Sequence, residues 1–189
     1  MPLDLTALTA NADVVERLSW TFDVRTEADP HDRVWFAIDG IENVLQIGRD
    51  SWGGLFLQLP DQRILFASSE GAAGIIATDL DAFVRLVVAH PYWRDILKFS
   101  GGGKLDEMRR AAIAMEAFTQ DEEEDLDEAR DVVRSELKLA TPADPVGALH
   151  RAVTMSNVRV RALSDGTPAV SLFGSFTIDD NPMFESADD

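Results

Sequence analysis

The fold is decided by residues 44–67, which read VLQIGRDSWGGLFLQLPDQRILFA. This stretch holds three short runs of aliphatic and aromatic residues, which favour β-strands. Gly53-Gly54 and Pro60-Asp61 separate the runs, and both pairs form turns because glycine tolerates positive φ and proline fixes φ. Connections this short join antiparallel neighbours, so the stretch predicts a β-meander. The predicted strands are 44–47, 55–59 and 63–67.

Segments on both sides extend this architecture. Upstream we predict strands at 20–25 and 33–38, preceded by an N-terminal helix at 3–18 whose apolar residues recur at helical spacing. Downstream a short apolar run predicts a last strand of the sheet at 75–77. The meander is therefore expected to be the centre of a larger sheet.

Helices dominate after residue 78. Thr78 and Asp81 match a capping box, and Asp144 followed by Pro145 matches a helix start. A hairpin is predicted around Asp165-Gly166. The predicted helices are 80–88, 92–99, 104–118, 126–137 and 145–153, and the predicted hairpin strands are 158–163 and 169–176.

Strands followed by helices and then by two more strands predict an α+β fold. We expect a central, mostly antiparallel sheet packed by helices, with a C-terminal helix-hairpin extension. A first unit is placed at 1–140. Residues 141–189 form the helix and hairpin, which we expect to be integral to the same domain and to end in a disordered acidic tail.

Composition narrows the class of protein. The chain has 189 residues, of which 46% are hydrophobic, enough for a sizeable core. Its longest apolar stretches fall short of the roughly 20 residues that span a bilayer, and the N-terminus shows no secretory signal. The sequence contains no cysteine, which excludes disulfides and thiolate chemistry. We therefore expect a cytoplasmic protein that contacts no membrane.

Charge points to the kind of partner. The chain has 17 basic and 34 acidic residues, a formal net charge of −17 that repels the phosphates of nucleic acids. The only paired bases, Arg109-Arg110, follow closely on Asp106-Glu107. The composition therefore predicts no nucleic-acid binding and suits a basic protein partner. It also suits a charge that only keeps the protein in solution, and that alternative stays open.

Two glycine-rich segments have the form of anion sites. Gly48 and Gly53 have the spacing of a phosphate loop, but Gly54 and Leu55 replace the lysine and hydroxyl residues that such a loop needs. We interpret the segment as a turn between strands. Residues 100–104, SGGGK, precede a helix, and we interpret them as its start rather than as an anion site.

The sequence offers no catalytic, cofactor-binding or metal-ligating set. His31, His90 and His150 are far apart, and no serine lies in a nucleophile elbow. Residues 121–131 contain eight acids and one arginine, but Leu126 stands where a calcium loop needs glycine. We interpret this acidic segment either as the solvated start of a helix or as a docking surface for a basic partner.

The candidate binding residues combine this acidic segment with an aromatic side chain. Trp52 lies on the predicted Gly53-Gly54 turn, where it is either buried or exposed as an interface anchor. The other tryptophans, Trp20, Trp35 and Trp93, are expected in the core. The candidate partner-binding residues are Trp52, Asp121, Glu122, Glu123, Glu124 and Asp125.

The centre of the chain resembles the SUKH superfamily. The resemblance is carried by residues 47–57, IGRDSWGGLFL, by the strand at 63–67, by the SSEG turn at 68–71 and by the capped helix at 80–88. It covers roughly residues 34–100. The shared features are an isoleucine-glycine pair, an acid two residues later, a glycine-containing turn and an apolar strand, followed by another strand and a helix.

The resemblance implies an α+β fold and a protein without enzymatic activity or cofactor. Many bacterial members are similar to immunity proteins that bind and neutralise a toxin domain, often a nuclease or a deaminase. Fungal relatives act as regulatory adaptors. We therefore expect an immunity protein with a basic toxin as its partner. A regulatory or scaffolding adaptor is the alternative, and a hydrolase with clustered carboxylates and a divalent metal is the least favoured hypothesis.

Overall fold

The structure, a computed structural model, describes residues 3–26, 34–122 and 125–181. It has the predicted α+β fold, with a central antiparallel sheet and helices packed against it. Four strands form the central sheet in the order β2-β3-β4-β5, and two more, β1 and β6, pair in a second small sheet. The strands are β1 (Phe36–Ile38), β2 (Leu45–Arg49), β3 (Leu55–Gln58), β4 (Ile64–Ala67), β5 (Ala73–Ala77) and β6 (Val160–Ala162).

The predicted meander is confirmed for the central sheet, in which each strand pairs antiparallel with the next, but the strand predicted at 33–38 forms β1 and pairs with β6 in the second sheet instead. The sheet is buried on both faces, which explains why β3 and β4 read as continuous apolar runs rather than as alternating ones. Phe56 and Phe66 pack on the helical side, with Trp93 against both rings. Leu57 and Leu65 point to the other side, into a smaller core shared with the β1-β6 sheet.

Seven α-helices and one 3-10 turn lie within the described residues. Asp79 caps α3 by accepting the Ala82 N–H at 2.7 Å, so the predicted capping box of Thr78 and Asp81 is wrong by one residue. Asp144 caps α7 through the Gly147 N–H at 2.9 Å, as predicted. The helices are α1 (Leu5–Thr9), α2 (Ala12–Trp20), α3 (Leu80–Ala89), α4 (Trp93–Lys98), α5 (Leu105–Glu122), α6 (Leu126–Glu136) and α7 (Pro145–Thr154), and the 3-10 turn is Ile178–Asp180.

The N-terminal prediction is wrong in two respects. The single helix at 3–18 is two helices, because the Asn11 side chain accepts the Asp13 and Val14 N–H groups and starts α2. The strand predicted at 20–25 is absent, since Trp20 ends α2 and only Arg25 pairs with a strand residue, Arg49. Trp20 is 79% exposed and does not belong to the core.

The C-terminal hairpin forms only in part. Residues 160–162 form β6, which pairs with β1, and Ala169 N–H bonds to Val160 C=O at 2.9 Å across the turn. The second predicted strand, 169–176, is absent because its backbone bonds to other elements. The Val170 carbonyl accepts the Ala73 N–H at 3.0 Å, and the Gly174 N–H reaches the Leu97 carbonyl at 2.9 Å. The disordered tail predicted from Asp179 is wrong for its first residues, because Asp179 and Asp180 belong to a 3-10 turn and Asp179 pairs with Arg110 at 2.6 Å; the residues after 181 lie outside the described residues.

Two turns at the same end of the central sheet position the candidate site. The β2–β3 turn spans residues 50–54 and the β4–β5 turn spans residues 68–72. They are neighbours because β2 and β4 run parallel on either side of β3. Among the described residues, no helix is long and apolar enough to cross a membrane.

Candidate partner-binding site

The β2–β3 turn is organised around the carboxylate of Asp50. One oxygen of this carboxylate, Oδ1, accepts the Trp52 N–H at 3.0 Å and the Gly54 N–H at 2.6 Å. The Asp50 N–H in turn bonds to the Gly54 carbonyl at 3.0 Å. Asp50 is only 4% exposed, so these bonds replace the water that the carboxylate loses on burial.

A charged clamp holds the turn from outside. Arg94, on α4, reaches the Asp50 Oδ2 with Nη1 at 3.1 Å and the Asp23 Oδ2 with Nη2 at 2.5 Å. The other Asp23 oxygen accepts the Ser51 N–H at 2.8 Å. The clamp of Asp23, Asp50 and Arg94 therefore joins three segments that are distant in sequence. Only Asp50 belongs to a sequence motif, as the acid of IGRDSWGGLFL, and nothing in the sequence pairs it with Asp23 and Arg94.

Close packing explains the glycines of the turn. A Cβ at Gly54 would lie 2.6 Å from Cε2 of Phe66, and a Cβ at Gly48 would lie 2.8 Å from the Arg25 carbonyl oxygen. Gly53 has φ +87°, a conformation that favours glycine. The interpretation as a turn between strands rather than a phosphate loop is confirmed, since both strands pair across it.

Trp52 projects from this turn. Its side chain is 79% exposed, so of the two possibilities for this residue the structure shows exposure. Its backbone is held on both sides, because the N–H bonds to Asp50 and the carbonyl accepts the Ser69 hydroxyl at 2.8 Å. The turn therefore presents a large aromatic ring from a fixed backbone.

Beside Trp52 lies a hollow of about 320 Å³ between the β2–β3 and β4–β5 turns. Its electrostatic character is acidic. Among the residues that line it, Asp50 and Glu70 carry negative charges and Arg94 carries the single positive charge, so the lining has a net charge of −1, while Asp23 pairs with Arg94 from outside the lining. The hollow is lined by Asp50, Trp52, Phe66, Ser68, Ser69, Glu70 and Arg94.

The acidic segment lies elsewhere in the fold and is described only in part. The sequence predicts that Asp121 and Glu122 start a helix. The structure shows the opposite, because helix α5 runs to Glu122. Acids are unfavourable there because the helix dipole places negative charge at this end. Asp125 is exposed and immediately precedes α6, while Glu123 and Glu124 lie outside the described residues. Among the hydrogen bonds and ion pairs of Asp125, none reaches the β2–β3 turn in the described part of the chain.

A second polar cluster, missed by the sequence reasoning, joins three helices. Arg130 on α6 binds both Glu116 oxygens, at 2.7 and 2.8 Å, and also donates to the Val88 and Ala89 carbonyls at the end of α3. It is the only base in the acidic run at 121–131, which was the one signal in the sequence. The cluster ties α3, α5 and α6 together.

Two neighbours complete this cluster. The Tyr92 hydroxyl donates to Glu116, and the His90 Nδ1 lies 3.0 Å from the same hydroxyl. Burial lowers the pKa of His90 to about 4 and raises the pKa of Tyr92. Hydrogen bonds from Arg130 lower the pKa of Glu116 to about 2. At neutral pH the cluster therefore contains two neutral rings beside Arg130, which pairs with Glu116 and also with Asp127 at 3.2 Å.

The remaining sequence candidates have structural roles. His150 places Nε2 at 2.9 Å from the Gly103 carbonyl, and His31 lies outside the described residues. The N–H groups of Gly101 and Gly102 bond to the carbonyls of Phe176 and Gly174, so they are not free to bind an anion. This agrees with the interpretation of residues 100–104 as the segment that leads into helix α5. Within the described residues, no group of three His, Asp or Glu side chains is arranged to hold a metal ion.

Comparison with known proteins gives no match. No family model matches the chain, and neither the curated proteins nor the solved structures contain a match to it. The candidate site therefore rests on its own geometry, and the resemblance to the SUKH superfamily stays a prediction from the sequence.

Proposed function

We propose that this chain is a non-enzymatic binding protein of immunity type. It binds a basic toxin domain, a nuclease or a deaminase, covers the active-site face of that domain, and does so in the cytoplasm without a cofactor. The observation that carries the proposal is Trp52, a 79% exposed indole on a backbone fixed by Asp50 and Ser69.

The exposed indole of Trp52 leaves apolar surface in contact with water, which is unfavourable, and a bound partner would cover that surface. A tryptophan buries a large apolar surface when it is covered, and tryptophan is enriched among the residues that dominate binding energies. The clamp of Asp23, Asp50 and Arg94 holds the turn in one conformation before any partner arrives. Little entropy is then lost on binding, which favours affinity.

Charge supports a basic partner. The net charge of −17 attracts a basic protein over distances beyond contact and raises the association rate. The position of Asp121 and Glu122 at the end of α5 adds to this argument. The helix dipole disfavours acids at this position. Docking of a basic surface gives these acids a role.

The proposal is tested by co-expression with a panel of basic nuclease and deaminase toxin domains. We expect the chain to restore growth against one toxin or a few related ones, and to form a stoichiometric complex with each of them in size-exclusion chromatography. A stable complex with a harmless protein, and rescue from no toxin, would favour the adaptor and overturn the proposal.

Two variants make the test specific to the site. Trp52→Ala should weaken toxin binding by at least about 30-fold, the effect of losing an interface residue worth about 2 kcal/mol. Trp20→Ala is the matched control, because Trp20 is also 79% exposed but lies at the end of α2. Equal affinities for the two variants would remove the β2–β3 turn from the interface.

A further inference from the structure

We propose that the hollow between Trp52 and Glu70 receives one arginine side chain of the protein partner. The inference rests on the proposed function, because it names the partner's chemistry at the same site. The guanidinium lies against the indole of Trp52 and donates hydrogen bonds to the carboxylate of Glu70.

The shape of the hollow suits a side chain that enters from a protein surface. It measures about 320 Å³ and opens between the two turns, with Trp52 on one side and the Ser68–Glu70 segment on the other. Both sides are fixed relative to each other, since the Ser69 hydroxyl donates to the Trp52 carbonyl at 2.8 Å. The hollow therefore exists before a partner binds.

The charges in the hollow favour a cation. Arg94 lines it, but both of its Nη groups are engaged by carboxylates, at 3.1 Å to Asp50 and 2.5 Å to Asp23. Glu70 is exposed, and no arginine or lysine of the described residues lies within ion-pair distance of its carboxylate. Since Arg94 is engaged by Asp50 and by Asp23, the carboxylate of Glu70 is the one in the lining that is left for an incoming cation.

Arginine fits better than lysine because its planar guanidinium stacks on an aromatic face and donates sideways to a carboxylate at the same time. The chain already contains this arrangement next to the hollow. The guanidinium carbon of Arg94 lies 5.3 Å from the centre of the Trp93 ring while its nitrogens bind Asp23 and Asp50. Trp52 and Glu70 offer the same two kinds of group to a second guanidinium.

The experiment is an NMR titration of the 15N-labelled protein with N-acetyl-arginine methylamide. The indole N–H signal of Trp52 should shift in a saturable way at millimolar probe. The indole signal of Trp20, which is equally exposed, is an internal reference and should stay in place. The citrulline analogue has nearly the same shape without the charge, and it should shift neither signal.

Two variants of equal charge change locate the binding group. Glu70→Gln should weaken the probe's affinity by about fivefold or more. Glu42→Gln should leave it unchanged, because the exposed Glu42 precedes β2 and lies at the opposite end of the sheet from the hollow. An amide fingerprint spectrum establishes that both variants are folded.

Several results would overturn the inference. Parallel shifts of Trp20 and Trp52, equal binding of the citrulline analogue, or undiminished binding by Glu70→Gln would each show that the hollow is no guanidinium receptor. Equal binding of a lysine probe would refute the assignment to arginine. Toxin neutralisation without probe binding would refute only this inference, while probe binding without neutralisation of any toxin would refute the proposed function.

Discussion

Replacing Arg94 by glutamine should destabilise the protein far more than an ordinary surface ion pair does. The change leaves two carboxylates, Asp23 and Asp50, facing each other without a cation. Asp50 has the larger penalty, because its side chain is only 3% exposed and water cannot replace the guanidinium.

The size of the loss in the free energy of unfolding follows from how exposed the three side chains are. Breaking a fully buried ion pair costs about 3–5 kcal/mol. Arg94 is 28% exposed and Asp23 is 21% exposed, so water recovers part of this loss. Asp50 also keeps its hydrogen bonds to the Trp52 and Gly54 N–H groups. We therefore expect Arg94→Gln to lower the free energy of unfolding by about 2 kcal/mol.

The assay is urea unfolding, with Arg85→Gln as the matched control. Arg85 is 31% exposed and pairs with Asp81 at 2.7 Å along α3, but Asp81 is 35% exposed. Its loss should cost no more than about 0.5 kcal/mol. The comparison isolates burial of the carboxylate, since the two arginines are similarly exposed.

A double-mutant cycle completes the test. Asp50→Asn keeps an oxygen that accepts the backbone N–H bonds of the turn but removes the charge that Arg94 neutralises. Combined with Arg94→Gln, it should cost less than the sum of the two single variants by about 1 kcal/mol or more. Strict additivity, or equal effects of Arg94→Gln and Arg85→Gln, would refute the reasoning.

Three further predictions concern pH, packing and charge. Since the pKa values of His90 and Glu116 are lowered to about 4 and about 2, the unfolded chain binds more protons, and the free energy of unfolding should fall as pH drops. The fall should begin near the ordinary value of 6.5 for His90 and continue below 4.5 through Glu116. In His90→Asn, the urea midpoint should no longer fall between about pH 6.5 and 4.5. A pH dependence of the midpoint equal to that of the unchanged protein would contradict the burial of the imidazole. Gly54→Ala should cost about 1–3 kcal/mol in thermal unfolding, because its Cβ would lie 2.6 Å from the Phe66 ring; a neutral effect would show that the turn can shift. Changing the acids at 121–124 to amides should slow toxin association and reduce its salt dependence in stopped-flow measurements, whereas equal rates across a salt series would remove this segment from the interface.

The part of the fold that was predicted correctly depends on signals that act over a few residues. The apolar runs at 55–59 and 63–67, with glycine and proline turns beside them, predicted β3 and β4. Asp144 and Pro145 predicted the start of α7. Each of these signals is complete within one or two turns of backbone, so neighbouring residues are enough to determine the outcome.

The errors lie where local preference competes with distant contacts. Residues 20–25 have the composition of a strand, but Asn11 starts a helix that extends through Trp20. The second limb of the C-terminal hairpin bonds to β5 and to the end of α4 instead of lying along β6. The pairing of a strand depends on which edges are available in the folded protein, and the sequence of the strand does not contain this information.

The sequence by itself determined the antiparallel meander, the helices that follow it, the acidic charge and the position of Trp52 on a turn. Tertiary structure alone decided that Trp52 is exposed, that Asp23, Asp50 and Arg94 meet beneath it, and that Glu70 faces the same hollow. The physical reason is the distance along the chain over which each kind of interaction acts. Turn and helix preferences act between neighbours along the chain, whereas burial and ion pairing depend on surfaces that become neighbours only when the sheet and helices pack together.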